Sequence, residues 1–225
     1  MSKISGFRRR LAHAAAMILL VACATSGARG AQMQNSGVVR VALSDMTLEF
    51  AYPTLKVSKD FGPVRLFDDI DLSKVEDSNT ILFGHWDGPR YKLLSVTGTL
   101  KIWLDVLPWP EQARAAKGCE AKTKAFLEAE VESQFAFYRR AETASPPTID
   151  RFKVSIRGRD GMGFRDSYSN DVSYFFPVNR DLALRLVFTS INNSRMGSDW
   201  DALSGREQDR FLRTMALSGD SNDCM

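Results

Sequence analysis

The chain has 225 residues, 44% of them hydrophobic and 25% charged, with 30 basic and 27 acidic side chains and a formal net charge of +3. That balance belongs to a globular protein and excludes a disordered, collagen-like or polytopic membrane chain. The length accommodates one domain or two small ones.

Residues 1–30 differ from the rest. Lys3 and Arg8-Arg9-Arg10 make a basic start, Leu11 to Ala24 is an almost unbroken apolar run, and small residues from Thr25 to Gly30 follow. This is the layout of a secretory signal, and the apolar run is short of the ~20 residues a spanning helix needs. Leu20-Val21-Ala22-Cys23 has the form of a bacterial lipobox, which would lipidate Cys23 and anchor the protein to a membrane. Ala22-Cys23-Ala24 and Ala28-Arg29-Gly30 offer ordinary signal-peptidase sites instead. Five of the 30 basic side chains and none of the acidic ones fall in residues 1–30, so residues 31–225 hold 25 against 27, a net of −2. A weakly acidic body lacks the general pull on phosphates that nucleic-acid binding requires. The expectation is an exported protein, periplasmic or lipid-anchored to the outer membrane, with residues 31–225 as a single globular domain.

In chain order, Val38 to Leu43 is a strand candidate, and Met46, Leu48, Phe50 and Tyr52 alternate with Thr47, Glu49 and Ala51 in a second. Thr54 to Asn79 is polar and irregular, and Thr80 to Trp86 is a short strand. Leu94, Val96, Leu100, Ile102, Leu104 and Val106 keep one phase, which predicts a single long strand bent at Gly98. After Pro108-Trp109-Pro110, apolar residues recur at threes and fours through Phe135 and Tyr138, predicting a helix from about Glu111 or Cys119 to about Arg140. Four strands follow. Their signals are the alternation of Phe152, Val154 and Ile156, a glycine-rich turn over Gly158 to Gly163, a hairpin around Ser169-Asn170-Asp171, and the alternation of Leu182 to Phe188. Ser204 and Glu207 fit a capping box that starts a last helix. Strands in runs, rather than alternating with helices, predict an α+β fold with an antiparallel sheet packed against one long helix and a C-terminal helix.

The strand Leu48-Glu49-Phe50-Ala51-Tyr52-Pro53, the strand ending Leu186-Val187-Phe188-Thr189 and the terminal helix through Leu217 resemble, in order, the Mog1/PsbP-like fold. That family includes exported bacterial lipoproteins and thylakoid-lumen proteins. The resemblance implies a small non-catalytic accessory domain and carries over no site residue.

Cys119 and Cys224 are the two cysteines of the body, and in an oxidising compartment they are expected to form a disulfide closing a loop of about a hundred residues. His85 is the one histidine beyond the signal. With Asp87 in Gly84-His85-Trp86-Asp87-Gly88 it is the available acid–base pair. A lone histidine supplies no multi-histidine zinc site. Asp68, Asp69, Asp71, Glu76 and Asp77 could face a hard cation, but Lys74 stands where an EF-hand needs glycine. The 158–163 turn lacks the dinucleotide spacing and the Walker lysine, so neither metal nor cofactor is expected. Residues 151–195 hold eight basic and four acidic side chains, a net of +4. Lys153, Arg157 and Arg185, with Tyr168 and Tyr174 as exposed aromatic anchors, make the candidate surface for an acidic partner or anionic headgroups. These readings favour an envelope accessory protein that binds another protein, with a toxin-inhibiting immunity protein as one concrete form. A periplasmic hydrolase using His85 is the second reading. A small-ligand or lipid carrier with a cavity between sheet and long helix is the third.

Overall fold

The computed structural model describes residues 37–91, 95–140, 148–192 and 197–219. Among them the first strands are β1 (Val38–Leu43), β2 (Met46–Ala51), β3 (Lys56–Val57), β4 (Arg65–Leu66) and β5 (Asp69–Ile70). A 3-10 turn at Leu72–Lys74 leads to β6 (Asn79–Asp87), β7 (Arg90–Tyr91), β8 (Ser95–Val96) and β9 (Gly98–Pro108). Helices α1 (Glu111–Arg114) and α2 (Cys119–Arg140) precede β10 (Ile149–Ile156), β11 (Arg159–Asp166), β12 (Asp171–Pro177) and β13 (Leu182–Asn192). Helix α3 (Gly197–Thr214) and β14 (Ala216–Ser218) complete the described chain. The fold is mixed α+β.

The larger sheet has the order β10-β11-β12-β13-β9-β6-β3, with β4 also paired to β6. Every pairing in it is antiparallel. The smaller sheet runs β14-β2-β1-β5, and its β1–β5 contact is parallel. One face of the large sheet presents Leu100, Ile102, Leu104, Leu184, Leu186 and Phe188 to Val41, Leu48 and Phe50 of the small sheet and to Trp200 and Phe211 of α3. These side chains are almost wholly buried, each worth roughly 1.5–3 kcal/mol relative to exposure. The opposite face carries α2. Phe126, Leu127 and Val131 of the helix lie on Phe164, Phe175 and Ala183, with Trp109 closing the cluster.

Four sequence expectations are corrected here. The long strand from 91 to 106 is broken at Thr97. β8 folds back on β7, and β9 starts afresh at Gly98. Trp200 enforces the break, because its indole lies 2.4 Å from where a Cβ of residue 98 would stand, and 2.6 Å from one at Gly88. The backbone closes around it through Gly88 N to Gly98 O at 2.9 Å. Second, only Arg157-Gly158 forms the β10–β11 turn, with Gly158 at φ +88°. Gly161 and Gly163 lie inside β11, where a Cβ would come within 2.4 Å of Phe175 O and 2.6 Å of the Phe152 ring. Third, α3 begins at Gly197 rather than near Ser204. Ser204 sits inside the helix and bonds Ser190 Oγ at 3.0 Å, while Glu207 accepts the Thr54 backbone N–H at 2.9 Å. Both side chains are drawn to tertiary partners, so neither caps a helix. Fourth, the irregular stretch from 54 to 79 contributes three two-residue strands.

Candidate functional site

The α2 side of the large sheet has two halves. In an antiparallel ladder, paired residues share a face. Register therefore places Arg185 beside Asp105, Val187 beside Trp103, Trp103 beside Phe83, Lys101 beside His85 and Phe83 beside Arg65. α2 covers the half built from β10, β11 and β12, where its acids reach the strand cations. Glu128 Oε2 meets Arg151 at 3.0 Å, Glu120 meets Lys153 at 2.8 Å, and Glu130 lies 3.7 Å from Arg185. Beneath that last contact the fully buried Asp105 takes Arg185 Nη2 at 2.7 Å and Nε at 3.2 Å, and Ser78 Oγ at 3.0 Å. Burial pushes the Glu130 carboxyl up, against the pull of Arg185.

Over the other half, on β9, β6 and β4, no helix lies among the described residues. Trp103 is 37% exposed and packs edge-on against Phe83 at 5.9 Å, with Phe67 (44%) and Phe61 (53%) at the margin. Lys101 Nζ stands 5.6 Å from the Phe83 ring centre and 5.4 Å from that of Trp103, a cation held by ring quadrupoles. The Phe83–Trp103 edge opens into a groove of about 720 Å³ rimmed by Arg65, Asp69, Asn79 and Thr80. Exposed apolar area of this kind marks interaction surfaces.

His85 lies at the edge of this half. Its ring stacks on Phe61 at 4.4 Å and meets Phe83 edge-on at 5.2 Å. Burial, then the Lys101 charge, lowers its pKa, so the imidazole is neutral at pH 7. Among the described residues no side chain hydrogen-bonds that ring. Asp87 accepts Thr99 Oγ1 at 3.1 Å, and the neighbouring Ser58 hydroxyl accepts the Asp60 N–H. Among the described residues, no hydroxyl or thiol is therefore paired with the His85 imidazole. In the acidic loop, Asp71 caps the 3-10 turn through Ser73 N at 3.0 Å and pairs with Lys74 at 2.8 Å. The hydrogen bonds from Lys74 and Ser73 hold its carboxyl down to about 2. Among the described residues no three ligating side chains gather.

The five residues expected to form a basic surface do not come together. Both Lys153 and Arg185 are paired to acids of α2, Lys153 in an exposed pair with Glu120 and Arg185 in a mostly covered one with Glu130. Arg157 reaches the end of α3, with Nη2 3.4 Å from Thr214 O. Tyr168 is exposed, but it sits at the far end of α2 against Tyr138 at 5.0 Å. Tyr174 is not exposed: it points into the core between Phe152 and Phe188, and burial raises its hydroxyl pKa to about 12. The two tyrosines differ because Tyr168 lies in the turn after β11, whereas Tyr174 shares the core parity of Val172 and Phe176.

Cys119 opens α2 and is disulfide-bonded. Cys23 and Cys224 lie outside the described residues, as does the signal segment. For the carrier reading, the space beneath the middle of α2 is filled by Phe126, Phe164 and Phe175. An open pocket of about 510 Å³ lies beside its first turn, between Cys119, Lys153 and Met162. No described helix is long and apolar enough to cross a membrane.

The sequence carried one signal for the uncovered half: Trp103 occupies the otherwise polar phase of Thr99, Lys101 and Asp105. Phe61 and Phe67 stand in an irregular stretch with no periodicity to orient them. Comparison with protein-family models, curated proteins and solved structures finds no match to this chain.

Proposed function

We propose that this is an exported, non-catalytic accessory protein that docks another protein of the cell envelope on the uncovered half of its large sheet. The observation that carries the reading is Trp103, bare and flanked by Phe83, Phe67 and Lys101, on the same face that α2 covers elsewhere. Export rests on residues 1–30, and the accessory role is the one implied by the Mog1/PsbP-like resemblance. Within this reading residues 31–225 act as one domain and Cys119 pairs with Cys224. Cys23 is either lipidated or removed with the signal.

The test is photo-crosslinking in intact cells, with benzoylphenylalanine replacing Phe67 or, as the rival exposed site, Phe137. Position 67 is expected to give a discrete protein adduct that disappears with Trp103→Ala, and position 137 is expected to give none. The same adduct from both positions, or none from 67, overturns the docking face.

A further inference from the structure

Resting on that docking reading, we infer that the occupant of the uncovered half is an amphipathic helix of the partner, its apolar stripe flanked by carboxylates, lying beside α2. The template is intramolecular. On the covered half, an acid-bearing helix lies on the strands, and Arg151, Lys153 and Arg185 each meet a glutamate of it. The uncovered half repeats the sheet side of this arrangement without the helix side. By register Lys56, Arg65 and Lys101 stand on the same face as Trp103 and Phe83. Among the described residues none of these three cations has an ion pair. Of the acids on or beside this face, Asp105 is held by Arg185, Asp87 is engaged by Thr99, Asp71 pairs with Lys74, and Asp69 stands at the groove rim.

Width supports one helix. Three strands at about 4.8 Å spacing make a strip roughly 10–15 Å across, and a helix with its side chains is about 10–12 Å wide. Complementary charge also fixes polarity of choice, since a basic helix would meet three unpaired cations. Phe83 meets Trp103 edge-on, and the unpaired Lys101 stands 5.4 Å from the Trp103 centroid. A cation beside exposed rings suits a carboxylate beside an apolar stripe.

The experiment uses the purified full chain and two synthetic 22-residue helical peptides with one shared leucine stripe, flanked by glutamate in one and lysine in the other. Trp86, Trp109 and Trp200 are at most 1% exposed, so a shift in tryptophan emission reports Trp103. The glutamate peptide is expected to bind at least tenfold more tightly than the lysine peptide. Lys101→Met is expected to narrow that gap, and Arg65→Glu with Lys101→Glu to reverse it. Equal binding, binding by neither peptide, or a preference unmoved by both variants overturns the inference. In that event a Phe67 adduct would still stand for the docking reading with a different occupant.

Discussion

Arg185 grips Asp105 across the β13–β9 ladder with two nitrogens, and Asp105 has no solvent exposure at all. Breaking a buried pair from one side leaves an uncompensated charge, at a cost of about 3–5 kcal/mol. Arg185→Met is therefore expected to lower the urea midpoint sharply. Arg185→Met with Asp105→Leu is expected to recover most of the loss, because the fully buried Asp105 carboxylate is removed along with its partner, leaving only the weaker Glu130 contact unpaired. Equilibrium urea unfolding of the two variants checks both.

Trp200 fills the notch made by Gly88 and Gly98. Trp200→Ala is expected to cost about 3–5 kcal/mol by leaving a cavity. Gly98→Ala is expected to cost about 1–3 kcal/mol by overpacking the indole. Trp200→Phe removes an indole N–H that has no hydrogen-bond partner among the described residues, so it should be milder than the alanine. Thermal unfolding of the three variants ranks them.

His85 provides a pH test. Its folded pKa lies below the ordinary 6.5, so the native state binds fewer protons than the unfolded chain. Its stabilising contribution is full above 6.5 and is lost as pH falls through the lowered folded value. His85→Phe keeps the stacking on Phe61 and should flatten that part of the stability profile. Urea midpoints measured from pH 8 down to pH 5 for both proteins decide it. Parallel curves would show that His85 is not the titrating group.

Cys119 gives a covalent test. Non-reducing peptide mapping is expected to join the Cys119 peptide to that of Cys224 and not to that of Cys23. A loop of about a hundred residues is worth roughly 4–5 kcal/mol on the chain-entropy model, so Cys119→Ser should lose stability of that order. Finding Cys119 joined to Cys23 would retain the N-terminal segment in the mature protein and remove the lipobox reading.

The elements were legible where one face is dry. Leu100 to Val106 and Leu182 to Phe188 alternate because every second residue enters the same core, and the helix from Cys119 to Arg140 shows its buried stripe at threes and fours. The misreadings share a cause. Gly161 and Gly163 look like turn residues, but they are small so that β11 can pass Phe176 and Phe152. Ser204 and Glu207 look like a cap but answer Ser190 and Thr54, which are distant in the chain.

The candidate site shows the same division. Sequence by itself determined the antiparallel α+β character, the strand faces and the charge carried by residues 151–195, since these follow from period and composition. It could not determine which charges are spent. Lys153 and Arg185 read as a free basic surface, but α2 returns to that face with Glu120 and Glu130. Lys101, one cation among many in the chain, is left over an aromatic face that α2 does not reach. Pairing and cover depend on contacts between residues 23 to 80 positions apart, and only the tertiary fold decides those.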